Sequence, residues 1–332
     1  MRKNSLQHCM KKINYFTLWL LASLMLSMSA CDSIIYRDLD PCELEISYKF
    51  DYNILFADAF TSQVKRVDLF IFDENGQSVA SPIRVEGNPF EEGFSHPLNL
   101  APGKYTFVAW AGLYDRSYSI SNINDLNAMK VAINTASGIS DKALDHLWHG
   151  ILSDVEVKGL PNERLVIPLT KDTNTFKVNI VTTKKTSPIN VEDYTVEIVS
   201  TNSKMDGHNA IVPASTVTYS PYLSEIGSTP DEHDTQLVGL TYELRTGRLM
   251  ASADDKMVIK DRVHNAILGQ LDLKKIIWEL RLSQYSSMPM QEYMDRQDEY
   301  VLTLIFDSDR PDFLSLTIVI NGWLIREHNI NA

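Results

Sequence analysis

From Leu44 onward the chain alternates apolar and polar positions. Leu44, Ile46, Tyr48 and Phe50 are separated by Glu45, Ser47 and Lys49, which predicts a strand with one buried face. Val67, Leu69 and Ile71 repeat the pattern, with Phe70 and Phe72 on the other face. That strand should therefore be covered on both sides. It runs into Asp73-Glu74-Asn75-Gly76, a turn signal. Further on, Pro102-Gly103 separates Leu98-Asn99-Leu100 from a strand that puts Tyr105, Phe107 and Ala109 on one face. Proline presets the bend, and a type II turn here expects positive φ at Gly103.

Residues 122–149 break the rhythm. Leu126, Met129 and Val131, then Ala143, Leu144 and Leu147, suggest short helical pieces within a connection. Strand character returns over 155–157 and 165–169. The polar stretch 170–174 suggests a domain boundary, after which Phe176, Val178 and Ile180, then Tyr194, Val196 and Ile198, restore the alternation. Residues 202–207 and 227–234 read as polar loops. Residues 237–250, 257–259, 300–306 and 314–320 read as strands, and 269–281 has the spacing of a short helix. At the end, Asn321-Gly322 offers a type I′ hairpin turn, from which Trp323, Leu324 and Ile325 begin an antiparallel return. Many short strands without regular βαβ alternation argue a mainly β chain. A strand, a Pro-Gly turn and a Tyr-led strand are common in transthyretin-like Greek-key sandwiches. The expected architecture is two such sandwiches in tandem, with short helical insertions.

The N-terminus is of a different kind. Lys11-Lys12 precede an apolar run over 16–28 and then Ser29-Ala30-Cys31. A basic start, a short apolar core and small residues at the cut make a secretory signal, and the run is too short to span a bilayer. The cysteine at the cut resembles a lipobox, so Cys31 is the expected acylation site. Met10, followed at once by Lys11, offers a second translation start. The expected organisation is a leader over 1–30, a lipidated tether over 31–42, and sandwiches over 43–171 and 172–332. An ordinary signal peptide is the alternative, and it would leave Cys31 and Cys42 free to pair.

Charge narrows the function. The chain carries a net −12, and since Arg2, Lys3, Lys11 and Lys12 leave with the leader, the remainder carries −16. So acidic a body does not fit nucleic acid, whose phosphates need a basic footprint, or electrostatic docking to anionic lipid. Three cysteines are too few for a disulfide scaffold. Catalytic spacings are missing: there is no phosphate-cradling glycine loop, His-Glu-x-x-His pair or Gly-x-Ser-x-Gly elbow. His146 and His149 have no third ligand nearby in sequence, and ordinary packing or surface roles outweigh a metal site. The acidic runs Asp231-Glu232-His233-Asp234 and Asp307-Ser308-Asp309 lack the glycine and distal glutamate of a calcium loop. Tyr285, Tyr293 and Tyr300 could make a sugar platform, but aromatics beside strands usually belong to the core. No enzyme, cofactor or metal is expected.

Several segments taken in order resemble the FimB-type fimbrial anchor subunits of type V pili. They are residues 31–42, 98–110, Leu147-Trp148-His149-Gly150, Arg248-Leu249-Met250, 291–300 and 319–323. The resemblance implies two transthyretin-like sandwiches and a surface-exposed lipoprotein of the outer membrane. It further implies a partner, the fimbrial stalk subunit, joined by strand exchange, and a role in tethering the fimbria and limiting its length. Trp323, Leu324 and Ile325 are the candidate donor strand, the competing reading being a hairpin that simply completes the second sandwich. An anchor should keep its own first strand, which proteolysis after Arg37 would release. The acidic run and Pro41 that follow Arg37 would discourage the cut. A tip or accessory subunit and a surface glycan-binding lipoprotein are the alternatives.

Overall fold

The computed structural model describes residues 43–87, 90–182, 193–212, 215–230, 236–306, 315–320 and 323–329. The first strand, β1 (Leu44–Lys49), turns Leu44, Ile46 and Tyr48 inward, and Phe50 just beyond it is also buried. It sits in the middle of a three-stranded sheet. On one side it runs parallel to β10 (Glu163–Pro168), on the other antiparallel to β4 (Ser95–Leu98). Both of its main-chain edges are therefore used.

A five-stranded sheet packs against it. Its order is β11 (Thr170–Lys171), β9 (Trp148–Val157), β5 (Gly103–Ala111), β2 (Arg66–Asp73) and β3 (Ile83–Glu86). The two central strands, β2 and β5, are apolar on both faces. Val67, Leu69, Ile71, Phe107 and Ala109 join Ile46, Phe50 and Ile167 in one core. Phe70, Phe72, Val108 and Trp110 join a second core that reaches Phe176, Tyr219, Tyr242 and Leu304. The double coverage expected of the second strand is observed, and it ties the two halves of the sequence together.

Around the second core lie three more sheets. One has six strands, in the order β16 (Leu223–Pro230), β17 (Gln236–Gly247), β12 (Thr173–Thr182), β20 (Glu299–Phe306), β21 (Ser315–Ile320) and β22 (Trp323–Asn329). Another runs β19 (Ala266–Asp272), β18 (Lys256–Asp261), β13 (Tyr194–Ser200), β15 (Val217–Tyr219) and β8 (Ile139–Ser140). The last is β14 (Lys204–Asp206), β7 (Lys130–Ile133) and β6 (Tyr118–Ser121). Among the described residues helices are few: α1 (Phe60–Gln63), α2 (Leu273–Leu280), α3 (Met290–Arg296) and a 3-10 turn over Ser283–Tyr285. The chain is mainly β, with short helices between strands, as expected.

The Asp73 carboxylate accepts the amides of Asn75 and Gln77 at 2.8 and 2.9 Å, and Gly76 takes φ +75°, so that turn forms as read. The helical reading of 122–149 is wrong. Val131 and Ile133 are buried at strand spacing, and β7 pairs with β6 and with β14. Residues 202–207 are not a polar loop but carry β14, where Met205 supplies a fully buried side chain. Likewise 227–230 is not loop but the end of β16, an edge strand that tolerates Pro230. Gly103 begins β5 without positive φ. A Cβ here would instead lie 3.2–3.3 Å from the hydroxyl and ring edge of Tyr105, a tight contact that the ring would have to relieve. The helix read over 269–281 starts at Leu273, where Asp272 accepts the Lys275 amide as N-cap. The C-terminal hairpin is present as strands β21 and β22, while Asn321-Gly322 lies outside the described residues.

Because β1 is enclosed, its inward and outward positions should differ sharply. Ile46→Ala is expected to cost about 2–5 kcal/mol and Lys49→Ala, at an exposed position, well under 1 kcal/mol. Denaturant melts of the two variants check this, and equal losses would contradict the enclosed strand.

Candidate assembly interface and its buried support

The polar stretch between the two halves is not a solvated linker. Lys171, Asp172, Thr173 and Asn174 are all buried. The Lys171 ammonium pairs with Asp298 and lies 5.4 Å from the centre of the Trp148 ring. Asp172 is fully buried and accepts a 2.9 Å hydrogen bond from the Asn209 side-chain amide, with the Arg248 guanidinium 3.8 Å away. Arg248 forks onto Asp295 with two bonds of 2.9 Å, and its third nitrogen donates to the Asn209 carbonyl at 2.8 Å. Gln291 completes the cluster by donating to Asp295 and to the Leu249 carbonyl, while its own oxygen accepts the Ala251 amide.

The two histidines belong to the same region. His149 bonds the Gly207 carbonyl through Nε2 at 3.0 Å and meets the Trp110 ring edge-on at 4.6 Å. His146 bonds the Thr173 hydroxyl through Nδ1 at 3.2 Å. Burial pushes His149 down to about 4 and His146 down to about 3, so both are neutral near pH 7. Burial drives the Asp172 carboxyl the other way, up to about 7, against the pull of Arg248 and Asn209. Among the described residues no group of three or more His, Cys, Asp and Glu could hold a metal ion. Three of the segments that carried the resemblance thus converge here: 147–150, 248–250 and 291–300. Their convergence has no signature at short range, because each partner comes from a distant part of the chain.

Sequence-predicted surface residues fall elsewhere. Trp323, Leu324 and Ile325 open β22, the outermost strand of the six-stranded sheet; only their backbone pairing is described. At the other edge, Leu223 and Ile226 of β16 are exposed. Cys31 and both acidic runs lie outside the described residues. Tyr293 and Tyr300 are buried, Tyr300 stacking on Phe176 at 4.9 Å, so with Tyr285 they form part of the core rather than a sugar platform.

Residues 39–329 match the family of fimbrillin-A associated anchor proteins Mfa1 and Mfa2. The chain belongs to this family. The expected fimbrial-anchor kinship is thereby established, and the family is one of anchor proteins rather than of enzymes. Solved structures share the fold of this anchor-family chain. A candidate polysaccharide-binding protein of Bacteroides thetaiotaomicron is 26% identical with a TM-score of 0.71, over 87% of this chain and 98% of its own. A candidate adhesin of the same organism is 24% identical with a TM-score of 0.76, over 88% and 100%. The fimbrial anchor protein Mfa2 of Porphyromonas gingivalis is 16% identical with a TM-score of 0.63, over 86% and 99%. No curated protein matches the chain significantly. Among the described residues no helix is long and apolar enough to cross a membrane.

Asp172 generates a pH prediction. Its folded-state value is raised, so between about pH 4 and 7 the folded protein holds a proton that the unfolded chain has lost. The native state loses stability through that window. Asp172→Asn removes this loss, so its stability relative to wild type should rise from pH 4 to 7 and level off above, while the histidine contributions cancel in the difference. Thermal melts across that range check the sign, and a difference independent of pH would contradict it.

Proposed function

We propose that this chain is the lipid-anchored base subunit of a cell-surface fimbria. It holds the stalk to the outer membrane through acylated Cys31 and limits fimbrial length. The observation that carries this reading is the position of β1. It follows directly on the tether and is the middle strand of its sheet, hydrogen-bonded on both sides. Withdrawing it would break two ladders and empty the core of Ile46, Tyr48 and Phe50. A subunit built this way keeps its first strand and cannot accept a neighbour's strand in its place, which suits the last subunit of a chain. At the other end, β22 lies at a sheet edge, where main-chain groups are open to strand addition. Trp323, Leu324 and Ile325 are the residues proposed to engage the stalk subunit.

Glycan binding is the second reading, supported by the candidate polysaccharide-binding protein with which this chain is 26% identical. Calorimetric titration with surface polysaccharide separates it from anchoring, since a base subunit predicts no heat of binding.

Two variants test the proposal in cells that make the fimbria. Cys31→Ser should lose incorporation of a clickable fatty acid and shed fimbriae into the medium. Label retained on that variant refutes the lipoprotein reading. Truncation after Asn321 should leave the melt unchanged but abolish pull-down of the stalk subunit. Collapse of the fold would make β22 a core strand, and unchanged binding would defeat the donor assignment.

A further inference from the structure

Strand β1 sets which end of the molecule faces the lipid. Leu44, its first residue, stands opposite Leu98 on β4 and Glu163 on β10. Two loops therefore flank the point where the tether enters: 99–102, leading into β5, and 158–162, leading into β10. The opposite end of β1 points into the junction, where the Leu169 amide donates to the Lys49 carbonyl. The twelve residues from 31 to 42, even fully extended, span at most about 40 Å. Whatever holds Cys31 therefore lies within that reach of these loops.

The two loops form one tip. Gly159 takes φ +67°, and a Cβ on it would lie 3.0 Å from the Pro102 ring, so the loops touch. Both are fixed from within. The Tyr105 hydroxyl donates to the Ala101 carbonyl at 2.9 Å, and the Glu163 carboxylate turns back onto the Lys158 amide at 3.1 and 3.3 Å. What they present outward is mostly apolar: Ala101, Pro102 and Pro161 are exposed and Leu160 is 55% exposed, with Asn99 and Asn162 exposed among them. Exposed Lys104 and Lys158 stand beside them.

We infer that this tip, centred on Leu160 and Pro102, inserts into the surface of the lipid layer that carries Cys31. The inference rests on the proposed lipidation of Cys31. The net −16 of the body argues against a broad electrostatic contact, so the contact is local and apolar, with the two lysines level with the phosphates. A tether alone would leave the body free to tilt. A second contact at the rigid tip fixes β1 and the junction above it in one orientation, which a base subunit pulled from its far end requires.

The test uses the full lipidated chain with Cys42→Ser, reconstituted into phosphatidylcholine vesicles containing spin-labelled lipid. A fluorophore is attached through Leu160→Cys in one sample and through Leu55→Cys in another. Leu55 is 81% exposed and lies in the loop after β1, at its junction end. Vesicle flotation is measured on both samples. Flotation with about twofold or greater quenching at position 160 by shallow spin labels, and almost none at 55, is the expected result. Flotation with equal, weak quenching at both positions overturns the tip while leaving lipidation intact. Failure to float removes the lipidation reading and the tip with it.

Discussion

The rest of the structure depends on β2 and β5 having no polar face. Phe70, Phe72, Val108 and Trp110 on one side, and Val67, Leu69, Ile71 and Phe107 on the other, all lie below 5% exposure. Burying each such side chain is worth about 1.5–3 kcal/mol, so neither core can be peeled from this sheet without a heavy loss. The second core then recruits strands from both halves of the sequence: β8 lies beside β15, and β7 beside β14. Tandem sandwiches linked only by a flexible segment would swing under load. Here the connection is itself a packed layer.

The polar cluster at 171–174 adds direction to that layer. Buried ion pairs contribute little net stability, because the desolvation of both partners offsets their attraction. Their effect is to penalise every other arrangement. Rotating one half against the other would strand Lys171 away from Asp298 and His149 away from the Gly207 carbonyl. One oxygen of Asp172 and the side-chain oxygen of Asn209 have no hydrogen-bond partner. An acid with one orphan oxygen in a fully buried site is better held neutral, consistent with the raised titration of Asp172. Strand β1 ends in the same region, where the Lys49 carbonyl accepts the Leu169 amide.

What could be read from sequence was what short-range alternation encodes. The inward faces of β1, β2 and β5, the turn at Gly76 and the C-terminal hairpin follow from period-two patterns and local turn chemistry. The helical misreading of 122–149 has a clear origin. Leu126, Met129 and Val131 fall at spacings that fit a helix turn, yet β7 is decided by its partners β6 and β14, and β14 lies some seventy residues further on. The polar stretch 170–174 gives no outward sign of its burial, since hydrophilic residues usually mark a surface and here form a buried ionic junction. Lys171 and Asp172 gave no local hint of Asp298 and Asn209. The segments of resemblance held that information only as order along the chain, and the fold shows why they matter together.

The central claim is that one chain keeps both its lipid and its first strand. Mass spectrometry of the N-terminal peptide from protein recovered with assembled fimbriae tests both at once. The expected mature chain begins at acylated Cys31 and continues unbroken past Arg37 into Leu44–Lys49. A mature N-terminus beyond Phe50, or an unmodified Cys31 in disulfide linkage to Cys42, would contradict it.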